Sequence, residues 1–326
     1  MKSWPRTEIR RKHERKGRLF AEFRGLNNGV HSTTTESADC PPDQFFATFL
    51  LWQKPRLKFL FVTMKNFIIF FTEKEGSSPI IETLMKFDKI DIIGFEPFDT
   101  YVFTEKEFGG LGKDIKKEDL AECLDLIYKN DHDPDYYQKL INIYSKYNAE
   151  IKLNNFNKLK KSIGLKIRLR NNELIFDKLK KYHVVTFVLI RQNVLRWALS
   201  KYVNKHLQFE FDRDGDKNND IKMRFDCRRL QIHIQECEEA LKDKKTLLTE
   251  LKKYGIEVYP LYYEEFCHNK LDYFQNLLEK LDIKYSREAI EMTINQELLF
   301  KKVHSDNIRE FVINYDEVYK TFRKYF

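Results

Sequence analysis

A short turn between an apolar run and a helical pattern carries residues suited to holding an anion. FIIFF at 67–71 is followed by Lys74, Gly76, Ser77 and Ser78, and the helical pattern begins at once. The first turn of a helix has unpaired backbone N–H groups and a partial positive charge. Gly76 permits a tight turn, the serines add hydroxyl groups and Lys74 adds a cation. The segment therefore indicates an anion cradle; a plain strand–turn–helix connection with capping serines is the alternative.

A later apolar run leads to a second group of anion-binding residues. HVVTFVLI at 183–190 is followed by Arg191 and by a helical pattern that carries Arg196 and Ser200. A guanidinium group can hold a phosphate with two parallel N–H bonds, and a serine hydroxyl can donate a third. Arg196 is a further candidate for the same site. The alternative is that Arg191 caps a helix or pairs with a surface carboxylate, while Ser200 is an ordinary helical residue.

Together the two segments resemble the sulfotransferases that depend on 3′-phosphoadenosine 5′-phosphosulfate (PAPS). The phosphosulfate loop of that family reads (P/S)(K/R)SG(T/S)(T/S) after a strand, and EKEGSS at 73–78 is similar to it. Glu73 and Glu75 depart from the family pattern, so Glu75 is expected to point away from the anion or to pair with a cation. Arg191 and Ser200, nine residues apart, match the spacing of the bacterial and carbohydrate-type branch.

The resemblance covers residues 64–326 and implies a reaction. A sulfuryl group would pass from PAPS to a hydroxyl or amine of a small-molecule acceptor, for instance a carbohydrate, leaving adenosine 3′,5′-bisphosphate. Lys74 would stabilise the leaving group, and no metal is expected because protein cations can neutralise the developing charge. The residues that the resemblance assigns to nucleotide binding are Lys74, Gly76, Ser77, Ser78, Arg191 and Ser200.

A general base is needed to deprotonate the acceptor. Glu96, in IDIIGFEPFD at 90–99, matches the carboxylate of an EP-type motif in the family, although pairing with a basic residue at a strand end is the alternative. His304, in a segment that resembles the C-terminal tail of bacterial members, is the rival base. Lys166 could point toward the sulfuryl oxygens, and an exposed lysine at a strand end is the alternative.

Apolar runs alternate with helical patterns from residue 64 onward. The candidate strands are 67–71, 90–95, 163–169, 183–190 and 256–263. The candidate helices are 77–87, 117–129, 134–147, 194–206 and 227–253. Short runs that are apolar on both faces and separated by helices are typical of a parallel sheet covered on both sides. We predict an α/β fold with a P-loop-like, doubly wound and mainly parallel sheet, which in the resembling family is the sulfotransferase fold.

The basic excess of the chain lies mostly near its start. Residues 1–63 hold 12 of the 58 Lys and Arg residues but only 6 of the 50 Asp and Glu residues. This region lacks sustained periodicity, so we expect a basic, poorly ordered extension at 1–63 and a sulfotransferase-like domain at 64–326. The nearly balanced charge of the second part argues against nucleic acid as a partner.

The cysteines and the lengths of the apolar runs indicate the cellular compartment of the protein. The five cysteines are odd in number, widely spaced and without a CxxC pair, which favours reduced thiols in a cytoplasmic protein. The apolar stretch at 45–52 is far shorter than the roughly 20 residues that a membrane-spanning helix needs, so no span is expected.

Two other functions remain open at this point. A kinase-like P-loop enzyme would need GxxxxGK[ST], and here no glycine lies five residues before Gly76 and no lysine follows it. A non-catalytic binding protein with the same fold is the second alternative. The sequence identifies neither the acceptor nor the oligomeric state.

Overall fold

The computed structural model describes residues 64–93, 116–129, 135–146, 162–168, 173–207, 222–298 and 307–326. Five strands are present in this part of the chain: β1 (Phe67–Phe71), β2 (Ile90–Ile92), β3 (Ser162–Arg168), β4 (Val185–Ile190) and β5 (Val258–Tyr262). The helices, in chain order, are α1 (Ser77–Leu84), α2 (Lys117–Tyr128), α3 (Tyr136–Ser145), α4 (Glu173–Lys181), α5 (Val194–Leu207), α6 (Cys227–Lys253), α7 (Tyr263–His268), α8 (Lys270–Lys280), α9 (Arg287–Ile294), α10 (Ile308–Phe311) and α11 (Tyr315–Phe322). A short 3₁₀ turn, Arg323–Tyr325, follows α11.

The five strands form one parallel sheet in the order β2-β3-β1-β4-β5. The central strand β1 pairs with β3 on one side, where Ile69 lies opposite Lys166, and with β4 on the other, where Ile69 lies opposite Phe187. All five residues of β1 are buried, as expected for a strand covered on both faces. The predicted α/β class with a parallel sheet is confirmed.

Helices cover both faces of this sheet. Side chains of β1 alternate between two hydrophobic clusters, so that Ile68 and Phe70 pack toward α2, α3, α4 and the end of α6. Phe67, Ile69 and Phe71 pack on the opposite face, toward α1, α8 and α9. A third cluster joins α5 and the start of α6 to the two C-terminal helices. The sheet is therefore doubly wound, as predicted.

The order of the strands locates the part of the sheet most suited to a ligand. After β1 the chain forms the edge strand β2 and then β3 on one side of β1, and the later strands β4 and β5 lie on the other side. The direction of winding thus reverses between β1 and β4. Open α/β sheets bind ligands outside the carboxyl ends of their strands at such a point.

The predicted extension at 1–63 lies outside the described residues and stays a prediction. Across the described ranges, no helix has the length and apolarity that crossing a bilayer would require.

Candidate functional site

The loop between β1 and α1 has an unusual backbone. Lys74 and Gly76 both adopt left-handed conformations, with φ values of 59° and 89°. The helix that follows has no side-chain cap and no acidic residue in its first turn. Ser77 is buried and Ser78 is half-buried at this helix start. The positive end of α1 thus carries no side-chain cap, and the predicted anion cradle depends on the backbone N–H groups of this turn.

Hydrogen bonds from neighbouring elements fix this loop. The Trp197 indole on α5 donates to the carbonyl oxygen of Glu73 at 2.8 Å. Within the loop, the backbone N–H of Thr72 donates to Oε2 of Glu75 at 2.7 Å. Trp197 is also completely buried, so its side chain has little room to move and holds the backbone of the loop in place.

Arg191 joins the two segments that the sequence singled out. Its Nη1 donates to the carbonyl oxygen of Lys74 at 3.0 Å, although the two residues are 117 positions apart. The same Nη1 lies 3.4 Å from Oγ of Ser200. The structure thus brings Lys74, Arg191 and Ser200 together at the carboxyl ends of β1 and β4. Arg196, the further candidate, is exposed on α5.

The guanidinium group of Arg191 is a buried cation. Only 7% of the residue is exposed, and within the described ranges no carboxylate lies at ion-pair distance from it. Burial lowers the pKa of Arg191 below its ordinary value, and nearby Tyr263 and Glu264 oppose that effect. Both of its hydrogen bonds use Nη1, so Nε and Nη2 hold three further N–H donors. A buried charge is costly unless it is paired, which favours an anionic ligand here.

The unusual Glu75 has a cationic partner. Its side chain is fully buried and forms an ion pair with the equally buried Lys244 on α6. The ammonium group of Lys244 also donates to the carbonyl oxygen of Leu189 on β4. Burial raises the pKa of Glu75 and lowers the pKa of Lys244, and the opposite charge of each partner counteracts this. Glu75 therefore adds little net negative charge to the cradle, and the predicted cation partner is Lys244.

The end of β5 forms the third side of the site. A Cβ atom added to Gly76 would lie 2.0 Å from Cε2 of Tyr263, so the tyrosine ring packs directly on the loop. The ring centroid of Tyr263 is also 4.8 Å from Cζ of Arg191. The next residue, Glu264, accepts a hydrogen bond from the backbone N–H of Asn193 at 2.9 Å and so holds the turn after β4. The site is built from the ends of three strands.

Sequence reasoning missed three residues of this arrangement. The burial of Lys244 could have been predicted from its helical spacing. It lies seven residues after Cys237 and seven before Leu251, on the buried stripe of α6. Tyr263 is the last residue of the candidate strand at 256–263, and the ends of parallel strands lie at the same side of the sheet as Gly76. Nothing in the sequence linked Trp197 to the loop, because a tryptophan in an amphipathic helix is typical of any hydrophobic core.

The structure describes only one of the three remaining candidates for the chemical step. Glu96 and His304 lie outside the described residues, so their roles remain predictions. Lys166 is fully buried on β3, with Nζ 4.4 Å from the ring centroid of Phe71, so the alternative of an exposed strand-end lysine is wrong. Among the described side chains, no group of three or more His, Cys, Asp or Glu residues could hold a metal ion.

Comparison with known proteins gives structural neighbours of low similarity. No protein-family model matches the chain, and no curated protein sequence matches it. A sulfotransferase from Alicyclobacillus acidocaldarius aligns with a TM-score of 0.36 and 14% identity, over 81% of this chain and 93% of the other. Sulfotransferase STF9 from Mycobacterium avium aligns with a TM-score of 0.33 and 10% identity, over 81% and 76% of the two chains.

Proposed function

We propose that this chain is a PAPS-dependent sulfotransferase, acting on a hydroxyl or amine of a small molecule or carbohydrate. The observation that carries the proposal is the position of Arg191, whose Nη1 touches both the Lys74 carbonyl and the Ser200 hydroxyl. Two sequence segments that resemble the two phosphate-binding parts of that family therefore lie in contact with each other. The contact supports the proposal because a chance resemblance in either segment would not place the two segments next to each other.

The charges of the site suit a nucleotide with phosphate groups at both ends of its ribose. The loop and the start of α1 offer backbone N–H groups, Ser77 and Ser78 to the 5′-phosphosulfate. Arg191 offers charge-assisted donors to the 3′-phosphate. The Ser200 hydroxyl, which in this structure donates to the carbonyl oxygen of Arg196 at 3.0 Å, would rotate to donate to the same phosphate. The residues present thus fit PAPS, which supplies an activated sulfuryl group and leaves adenosine 3′,5′-bisphosphate.

Positioning and electrostatics would dominate the reaction, as in phosphoryl transfer. Lys74, at the strained position of the loop, is assigned to the negative charge that develops on the leaving phosphate. Glu96 is assigned to deprotonate the acceptor, with His304 as the rival base. No step assigned to these residues calls for a metal ion, because Lys74, Arg191 and the helix start supply positive charge.

Sulfuryl transfer from labelled PAPS to a panel of alcohols, phenols, amines and sugars tests the proposal. We expect at least one acceptor to become labelled, and Lys74→Ala to lower turnover by about a hundredfold or more. Lys242→Ala, which removes an exposed lysine on α6, is the matched control and should leave turnover unchanged. Circular dichroism of each variant separates loss of chemistry from loss of folding.

Two results would contradict the proposal. Transfer of labelled phosphate from ATP with magnesium, without sulfuryl transfer from PAPS, would favour a kinase-like enzyme. Tight binding of adenosine 3′,5′-bisphosphate without transfer to any acceptor would favour a non-catalytic binding protein.

A further inference from the structure

A single side chain beneath the loop contacts both halves of the candidate site. Lys244 is completely buried on α6, where its ammonium group meets the carboxylate of Glu75 and the carbonyl oxygen of Leu189. Glu75 lies between the two left-handed residues of the loop, and Leu189 lies on β4 two residues before Arg191. Lys244 thus links the cradle to the strand that ends at Arg191.

Trp197 completes the same network. Its Nε1 donates to the carbonyl oxygen of Glu73, and Nζ of Lys244 lies 5.3 Å from the centroid of the indole ring. Lys244 and Trp197 therefore hold neighbouring parts of the loop, one through the side chain of Glu75 and the other through the backbone of Glu73. The loop has anchors on α5 and α6 in addition to its own hydrogen bond from Thr72.

The physics of buried ion pairs indicates what this arrangement does. Replacing a whole buried pair with apolar or neutral residues is often neutral for stability, whereas removing one partner strands a buried charge. The pair is therefore a weak source of net stability. Its hydrogen bonds are directional, however, and they fix where Glu75 and the adjacent Lys74 can lie.

We propose that Lys244, together with Trp197, is a positioning residue of the anion site. It locks the loop onto the end of β4 and so sets the separation between the cradle and Arg191, without touching the ligand itself. The consequence for nucleotide binding rests on the proposed function, whereas the consequence for the conformation of the loop does not.

Three variants of the full chain test whether Lys244 and Trp197 position the loop. Lys244→Met strands the carboxylate of Glu75 and is expected to lower the Tm. The double variant Glu75→Gln with Lys244→Met removes both charges and leaves a side-chain amide oxygen that can accept from Thr72, so most of the lost Tm should return. Trp197→Phe keeps most of the buried ring volume but removes the donor to Glu73. Asp125→Asn with Lys178→Met, which replaces an ion pair between α2 and α4 that contacts no residue of the loop, is the matched control.

Amide hydrogen exchange of the unliganded protein reads the conformation of the loop directly. We expect exchange at residues 72–78 to become about tenfold faster in the double variant and in Trp197→Phe, with β1 and β4 still protected. Calorimetry should show adenosine 3′,5′-bisphosphate bound about tenfold to a hundredfold more weakly. The control pair is expected to change neither loop exchange nor affinity.

The possible outcomes separate this inference from the proposed function. If the double variant regains its Tm and also matches the parent in loop exchange and affinity, Lys244 is merely structural and the inference is overturned. If the double variant does not fold, Trp197→Phe decides, and parental exchange in that variant would overturn the inference. If loop exchange accelerates as expected but the parent fails to bind the bisphosphate, positioning stands and the proposed function fails.

Discussion

Lys74 occupies a backbone conformation that costs most residues energy. A non-glycine residue in the left-handed region is disfavoured by about 1–2 kcal/mol, yet Lys74 has φ of 59° two positions before Gly76 at 89°. The hydrogen bond from Arg191 to the Lys74 carbonyl helps to offset that cost. Strain of this kind is typical of functional turns, and here it lies at the residue assigned to the leaving group.

Gly76→Ala tests how closely the loop is packed. The new Cβ would meet Tyr263 at 2.0 Å and the backbone would still need a positive φ, so we expect a loss of more than about 2 kcal/mol in the free energy of unfolding. Gly255→Ala is a matched control, because Gly255 also has a positive φ but nothing lies within 4 Å of its added Cβ. Denaturant unfolding measures both, and equal losses would contradict the close contact with Tyr263.

Local sequence patterns predicted four residues of the candidate site. Lys74 and Gly76 were recognisable from a strand, a turn and a helix start, and Arg191 and Ser200 from one strand end and one helix. The structure brings these residues together, while their binding roles remain proposals. Lys244 escaped notice because its partner is 169 positions away, and no local pattern pairs a buried lysine with a particular carboxylate.

One carboxylate adds polar contacts to the apolar packing between α2 and α4. Asp125 accepts hydrogen bonds from Lys178 and from the hydroxyl of Tyr182. Desolvation alone would raise the pKa of Asp125, but these two hydrogen bonds and the neighbouring lysine charges outweigh it and hold the pKa below its ordinary value. A carboxylate with a lowered pKa in the folded state stabilises the fold above its unfolded pKa. That stabilisation is lost as the pH falls through the folded value.

Asp125→Asn should therefore reduce stability in a pH-dependent way. We expect the free energy of unfolding to fall by about 1 kcal/mol near pH 7, given the partial exposure of the pair. The difference from the parent should shrink below about pH 4, where the parent carboxylate also becomes protonated. Urea unfolding at about pH 7 and about pH 3 measures this, with the exposed Asp243→Asn as control. A difference that does not vary with pH would contradict the assignment.

The sequence predicted some boundaries of helices and strands correctly and missed others. The helix predicted at 227–253 is observed with the same bounds, because its apolar stripe and its ends are both marked in the sequence. The strand predicted from 183 begins at Val185 instead, since His183 adopts a φ of 51° in the turn after α4. The run predicted to extend to 263 stops at Tyr262, because Tyr263 begins α7 and turns toward Gly76.

At the scale of the described residues, the candidate site lies at the carboxyl ends of two central strands of the sheet. The winding order reverses between β1 and β4, and the loop after each strand supplies one half of the candidate site. The buried guanidinium of Arg191 and the uncapped start of α1 both contribute positive potential there, while Lys244 compensates Glu75. In the proposed function, these groups hold the two phosphorylated ends of one nucleotide.

Calorimetric titration with adenosine 3′,5′-bisphosphate and with adenosine 5′-monophosphate tests this claim most directly. We predict that the parent prefers the bisphosphate by about tenfold or more, because Arg191 makes charge-assisted bonds to the extra phosphate. Arg191→Ala should remove that preference, and Arg228→Ala, an exposed arginine on α6, should keep it. Equal affinity of the parent for the two nucleotides, or an unchanged preference in Arg191→Ala, would contradict the claim.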